Sequence, residues 1–384
     1  MDFSRFIHGR AQAIDASGIR RVFDLAATLK NPINLSIGQP DFDVPEAIQD
    51  AAVDAIRGGQ NRYTQTQGTG PLRERVTAEL TREFPDTLGP ALASGEAGLL
   101  MTSGVSGGLL LALMTCVGPG DEVLIPDPYF VMYRHLVTLA GATAVYVDTY
   151  PDFAVTPERL APHVTERTKL LLFNTPSNPT GVRASADECA AVAGFCAERG
   201  ILLLSDEIYD VFAYGLGGSP FPSPLHTNAD TLLLRGFSKT YGMTGWRLGY
   251  VAGPKAVVEQ MTKLQQYSFV CAPSMVQAAG VTALDTDMST HVAAYATKRD
   301  RVVERLSPHF ELTAPGGAFY AFPKVPERLG MTGSQFVEAA VAKNLLIIPG
   351  SVFSQRDTHF RLSHACDEAM LERGLDVLVG LAGG

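Results

Sequence analysis

A chain of 384 residues with 46% hydrophobic and 18% charged residues has ordinary globular composition, and its length suits one large domain plus a smaller one. A net charge of −9 leaves no electrostatic footprint for nucleic acid, and the apolar stretches break well before membrane-spanning length. Met1 to Arg10 lack the apolar core of a signal peptide, and the five cysteines (Cys116, Cys189, Cys196, Cys271, Cys366) include no C-x-x-C pair and read as reduced thiols of a cytoplasmic protein.

In chain order, a helical pattern over Arg20 to Leu29 precedes Ile33-Asn34-Leu35-Ser36-Ile37-Gly38-Gln39-Pro40-Asp41-Phe42, a short strand ending in a turn. Pro45 to Arg57 is a helix, with proline near its start and Gly58-Gly59 as its stop. Tyr63 to Arg73 reads on its residues alone as a surface turn. Leu99 to Thr102 is a strand, and Ser103-Gly104-Val105-Ser106-Gly107-Gly108 opens a helix running to about Val117. Such a turn presents free backbone N–H groups where the helix dipole favours an anion. Glu122 to Pro126 is the next strand and delivers Asp127-Pro128-Tyr129-Phe130.

Strands at Thr143 to Val147 and Lys169 to Phe173 follow, the second leading into Asn174-Thr175-Pro176-Ser177-Asn178-Pro179-Thr180-Gly181. Two asparagines and two prolines force an irregular loop, and loops at strand ends of α/β proteins face a ligand crevice. A helix from Ser185 to Arg199 and the strand Ile201 to Leu204 deliver Ser205-Asp206-Glu207-Ile208-Tyr209. A carboxylate one residue beyond four apolar residues needs a partner: a helix N-terminus that it caps, or a cation.

The apolar run Thr231 to Leu234 leads into Gly236-Phe237-Ser238-Lys239-Thr240-Tyr241-Gly242-Met243-Thr244-Gly245-Trp246-Arg247. A lysine at the end of a buried strand is costly unless paired or neutralised. Held near a second cation, its pKa falls and the free amine attacks carbonyls to form a Schiff base. Arg247 offers a bidentate grip for a phosphate. A lysine for an aldehyde and an arginine for a phosphate together suggest pyridoxal phosphate.

Beyond Leu248 to Ala252, a strand, and Pro254 to Tyr267, a helix, a long helical tract covers Ser274 to Leu306 with a break around Asp285 to Ser289. His309 to Thr313, Phe319 to Phe322, Leu345 to Ile348 and Phe360 to Ser363 read as strands interleaved with helices at Ser334 to Lys343 and Asp367 to Val379, an α+β pattern. Arg361 sits inside an otherwise apolar strand, where arginine is rarely unpaired. The eight histidines, among them His135, His226 and His364, show no metal-ligand spacing.

These motifs, in this order over almost the whole chain, resemble the class I and II aminotransferases, fold type I pyridoxal phosphate enzymes of the aspartate aminotransferase superfamily. The resemblance implies an α/β fold: a large domain (46–284) with a mostly parallel seven-stranded sheet flanked by helices, and a small α+β domain (285–384) joined by the N-terminal segment (1–45). It implies an aminotransferase that moves an α-amino group to a 2-oxo acid through a Schiff base on Lys239. Asp206 would face the pyridine nitrogen, Asn178 and Tyr209 the phenolic oxygen, and Phe130, with Tyr129 as neighbour, the ring face. Gly104, Val105, Ser106, Ser238 and Arg247 would hold the phosphate. Gly38, Asn178 and Arg361 would meet the substrate, Arg361 gripping its α-carboxylate. Tyr63 would reach the phosphate of a neighbouring subunit in a homodimer with shared sites. A lyase (such as a C–S β-lyase) or racemase uses the same set, and an effector-sensing regulator would need a DNA-binding domain ahead of residue 33. Two departures stand out: Gly236 occupies a position where the family often has serine. Ser106-Gly107-Gly108 stands where some aspartate-specific relatives carry a lysine that meets a side-chain carboxylate.

Overall fold

The computed structural model describes residues 1, 3–15, 18 and 29–383. The helix expected over residues 20–29 lies, but for Leu29, outside them. The chain is organised by a seven-stranded sheet of β2 (Ala97–Ser103), β3 (Glu122–Asp127), β4 (Thr143–Asp148), β5 (Thr168–Asn174), β6 (Leu202–Asp206), β7 (Leu232–Gly236) and β8 (Leu248–Pro254). The spatial order is β2-β8-β7-β6-β5-β3-β4, and β8 alone runs antiparallel to its neighbours.

Continuous leucine runs suit strands covered on both faces. Because side chains alternate across a strand, Leu170, Leu172, Leu204, Leu232 and Leu234 enter one core with Leu109, Leu113, Val137 and Met261. Leu171, Phe173 and Leu203 enter the opposite layer with Val192, Ala193 and Cys196 of the helix Ala186–Arg199. Cys189 and Cys196 therefore share one packed face, as their seven-residue spacing suggests. Leu233 packs on that side with Leu72, Val76 and Ala279.

A separate core of Val302, Leu306, Phe336, Phe360, Leu362, Leu371 and Leu375 also takes in Ile33 and Leu35 from the other end of the chain. Its pairings are short: β1 (Ile33–Asn34) lies parallel to β10 (Leu345–Leu346), and β9 (Tyr320–Ala321), β11 (Ile348–Pro349) and β12 (Phe360–Ser363) form an antiparallel sheet. The expected strand over Leu345 to Ile348 is thus two strands serving different partners. His309 to Thr313 is not a strand; it makes a single bridge, Glu311 to Lys324, before Pro315 and the glycines end regular pairing. The helical tract breaks between Ala283 and Ser289, as the sequence indicated.

Tyr63 to Arg73 is only partly a turn. Thr69 is extended, Pro71 sits in the first helical turn, and the helix Gly70–Glu83 begins there with Leu72 fully buried. The helices Leu88–Ser94 and Met132–Ala140 were also not anticipated. At the carboxyl ends of β5, β6 and β7 the register places Asn174 beside Asp206 and Asp206 beside Leu234, two residues before Gly236. Ligands of open α/β sheets bind at such strand ends.

Candidate active site

Those strand ends floor a cavity of about 330 Å³ lined by Ile37, Gly38, Phe130, Asn178, Asp206, Tyr209, Lys239, Arg247, Tyr320 and Arg361 among others. Lys239 stands on a single helical turn, Phe237–Thr240, directly after β7. Its Nζ donates to the Gly38 carbonyl at 2.6 Å. Burial, then the positive fields of Arg361 and Arg247, push its pKa down to about 8. The lysine expected from sequence to be near a second cation is near two.

Asp206 ends β6 with its carboxylate buried. Tyr133 donates to it at 2.7 Å and the Ile208 N–H at 3.3 Å. Burial outweighs these bonds and pushes its pKa up to about 6, so the site suits a cation that would restore the charge. The helix N-cap alternative is not what the structure shows: a 3-10 turn, Asp210–Phe212, follows, and the Asp206 carboxylate faces the cavity.

Arg361 is fully buried on β12, and among the described residues no carboxylate pairs with it. Its Nη1 donates to Asn178 Oδ1 and its Nη2 to the Ser36 carbonyl, each at 2.9 Å, while Nε has no partner. The guanidinium lies between Tyr320 and Phe353, 4.5 and 4.6 Å from their ring centroids. A buried guanidinium without a counter-ion is a receptor for an anion.

At the other end, the helix Gly104–Cys116 starts without a side-chain cap, and Val105 and Ser106 line the cavity. Its first amides are open to an anion. Gly104 has φ +67, and a Cβ there would sit 2.5 Å from Arg247 Nη2. Arg247 is fixed by Nη1 donating to the Thr244 carbonyl at 3.0 Å. Ser238 lines the same region. Gly236, where a serine was expected from the family pattern, is closely surrounded: a Cβ would meet Val105 Cγ2 at 3.0 Å and the Leu248 carbonyl at 3.2 Å.

Phe130 lines the cavity, whereas Tyr129 turns away to stack on Tyr146. Every position expected in this chain's own cavity is thus brought together except Tyr129 and Gly104, which lies against Arg247; Tyr63, expected at a neighbouring subunit, is 85% exposed. Sequence reasoning missed Tyr133, and it placed Asn174 in a crevice-facing loop and Tyr320 in a segment, Pro315 to Tyr320, that resembles a substrate-facing loop of the family, without giving either side chain a role. Asn174 donates to the Asp206 carbonyl at 2.8 Å and accepts from the Asn178 N–H at 2.9 Å. Tyr133, three residues after Phe130, and Tyr320, ending Gly-Gly-Ala-Phe-Tyr, had only spacing to signal them.

The donor set fits pyridoxal phosphate: an amine of lowered pKa for the aldehyde, a buried carboxylate for the pyridine nitrogen, an aromatic face, and an arginine beside an uncapped helix start for the phosphate. The sequence model for aminotransferase class I and II matches residues 30–378, and the chain belongs to that family. It is 34% identical over 378 residues to the aromatic-amino-acid aminotransferase 2 of Thermococcus litoralis, covering 96% of each chain. It is 34% identical, over the same length and coverage, to the aspartate aminotransferase of Pyrococcus abyssi. The solved structure of Thermus thermophilus aspartate aminotransferase with maleate superposes with a TM-score of 0.90 at 30% identity, covering 98% of this chain and 99% of that one. The protein is a pyridoxal phosphate-dependent aminotransferase of the fold type I class.

Proposed function

We propose that the residues gathered in this cavity divide the work of transamination between an amino acid and a 2-oxo acid as follows. The observation that carries the reading is Lys239: an amine held at a pKa of about 8, between Arg361 and Arg247 and facing Asp206. When bound there, pyridoxal phosphate supplies an aldehyde for the amino group and a ring that accepts the electrons of the broken Cα–H bond. Asp206 would hold a positive charge at the pyridine nitrogen, and Asn178 and Tyr209 would donate to the phenolic oxygen. Phe130 covers the ring face. Val105, Ser106, Ser238 and Arg247 would hold the phosphate, and Gly104 leaves room for Arg247 to reach it. Arg361 receives the substrate α-carboxylate in exchange for the Ser36 and Asn178 oxygens it now contacts, and Gly38 leaves space beside it. The Lys239 amine would take the proton from Cα as general base and deliver it to the former aldehyde carbon of the cofactor, so its lowered pKa matches its task near neutrality.

Among the described residues the cations lining the cavity are Lys239, Arg247 and Arg361, and each already has a task in this scheme. We infer that donors with apolar or aromatic side chains, lying against Ile37, Gln39 and Tyr320, suit the site better than aspartate. Tyr63 and Tyr267 are 85% and 88% exposed, and Phe269 and Val270, beside Tyr267 in sequence, are exposed too. A second copy covering this face, with Tyr63 reaching its phosphate, gives these rings a role in a homodimer. The division into 1–45 with 285–384 and 46–284 is supported by the core that Ile33 and Leu35 share with Val302 and Leu375, while Tyr295, Phe319 and Tyr320 pack into the core of the large domain. Free cysteines throughout favour the cytoplasm, and no helix of the described residues is long and apolar enough to cross a membrane.

The test is the visible spectrum of the holoenzyme during titration with single amino acids and no oxo acid. Conversion of the cofactor to its amine form with release of the matching oxo acid supports transamination. Pyruvate with ammonia, or racemised substrate with unchanged cofactor, points to lyase or racemase chemistry. Lys239→Ala retaining turnover removes the central assignment.

A further inference from the structure

We propose that Tyr320, which the scheme above uses only as a wall for the donor side chain, is a positioning residue that sets the strength of the Tyr209 hydrogen bond and links it to carboxylate binding at Arg361. The proposal rests on the reading that Tyr209 faces the cofactor's phenolic oxygen. Tyr320 is fully buried on β9, next to β12, which carries Arg361. Its hydroxyl lies 2.9 Å from that of Tyr209. Its ring lies under the Arg361 guanidinium, 4.5 Å from centroid to Cζ. Gly38 keeps the approach open: a Cβ there would come within 3.0 Å of the Tyr320 oxygen. Arg361 bonds Asn178 and Tyr320 bonds Tyr209, so each group expected to hold the phenolic oxygen is tied to one member of the Arg361–Tyr320 stack.

A tyrosine hydroxyl has one proton and two acceptor positions. Once Tyr209 spends its proton on the phenolic oxygen, only Tyr320 has a proton for the bond between the two hydroxyls. Tyr320 then donates to Tyr209. An oxygen that accepts a hydrogen bond becomes a better donor through its own proton, so Tyr209 binds the phenolic oxygen more strongly. Negative charge on that oxygen is better satisfied, and the proton it shares with the lysine-linked nitrogen leaves at lower pH. The Arg361 cation over the ring polarises the Tyr320 O–H in the same sense. A carboxylate arriving on Arg361 cancels that field and weakens the relay, so the proton is retained to higher pH.

The experiment is a pH titration of the visible absorption band in the holoenzyme, for the unmodified protein, Tyr320→Phe and Tyr209→Phe. The phenyl ring preserves packing and the stack on Arg361, and a thermal melt checks that the fold is kept. Tyr320→Phe is expected to raise the midpoint by about 0.5 to 1 pH unit, the size of one neutral hydrogen bond. A midpoint that falls means the proton runs from Tyr209 to Tyr320 and overturns the proposal, as does no change. A shift with Tyr209→Phe but none with Tyr320→Phe refutes the proposal alone. No shift with either refutes the Tyr209 reading as well. Repeating the titration with 3-phenylpropionate or succinate, carboxylates that cannot react, tests the link to Arg361. The ligand-induced rise should be smaller in Tyr320→Phe, and an equal rise in both proteins overturns the link.

Discussion

Replacing Lys239 by methionine should stabilise the cofactor-free protein at neutral pH while abolishing turnover. In the folded chain burial and two arginines lower the lysine pKa from 10.5 to about 8. At pH 7 the amine is charged in both folded and unfolded chains, and the folded chain bears the cost. The gap between 10.5 and about 8, at about 1.4 kcal/mol per pH unit, corresponds to about 3 kcal/mol. Because the side chain lines an open cavity rather than a close-packed core, that is an upper limit. Methionine also forfeits the bond to the Gly38 carbonyl, worth about 1 to 1.5 kcal/mol. The net expectation is a gain of about 1 to 2 kcal/mol at pH 7. The sign reverses with pH: above about 8 the folded lysine releases its proton while the unfolded one holds it to about 10.5. The unmodified protein therefore gains stability over that window and Lys239→Met does not. Urea denaturation of both cofactor-free proteins at one concentration, at pH 7 and pH 10, measures this. A variant no more stable at pH 7, or an advantage that does not shrink by pH 10, refutes the reasoning.

In the cofactor-free protein Asp206 is pushed up to about 6 by burial, and a carboxyl is neutral below its pKa. Cofactor retention on gel filtration should therefore weaken as pH falls through about 6, and Asp206→Asn should bind weakly throughout and lose the part of the pH dependence that the phosphate does not supply. Arg361→Leu should lower kcat/KM for amino acids by about 10²- to 10³-fold, the effect of losing one buried charge-assisted carboxylate contact; turnover of a simple amine lacking the carboxylate should be spared. Ser106→Lys adds a fourth cation to the lining, and the ratio of kcat/KM for aspartate to that for phenylalanine should rise at least ~10-fold, a single charge pair at partial exposure. Arg235→Met should destabilise the protein by about 3 to 5 kcal/mol in urea denaturation, because Glu207, fully buried, and Glu83 lose their counter-ion.

The sheet was legible because its strands are unbroken leucine runs that only burial on both faces explains, as at Leu202 to Leu204 and Leu232 to Leu234. The site was legible where chemistry violates that pattern: Asp206, Lys239 and Arg361 each place a charge at the end of, or inside, an apolar strand. The small sheets were less legible, since β9, β10 and β11 are two residues long and their partners lie far away in sequence, as Ile33 does from Leu345. No local pattern announces such a pairing, and tertiary contacts decide it. The roles of Tyr133 and Tyr320 were not legible for a related reason: a buried tyrosine is ordinary in a core, and only coordinates reveal that one hydroxyl meets Asp206 and the other Tyr209.

The residues behind the site extend the same point. Arg235 lies on β7 immediately before Gly236, and Glu207 immediately follows Asp206. Arg235 Nε and Nη2 donate to Glu207 Oε2 at 3.0 and 2.8 Å, and its Nη1 and Nη2 to the two oxygens of Glu83 at 2.6 and 2.8 Å. Ser205 and Ser223 donate to the remaining Glu207 oxygen at 2.8 and 2.6 Å. Buried charges of this kind seldom add net stability over an apolar replacement. What they do here is geometric: a rigid fork ties the strand end that carries Asp206 to the one that carries Lys239, and both to the helix Gly70–Glu83. Asp206 and Lys239 reach the cavity from the ends of different strands, so their separation depends on the register of β6 on β7. A fully satisfied polar network holds that register against sliding, which interchangeable leucines cannot do.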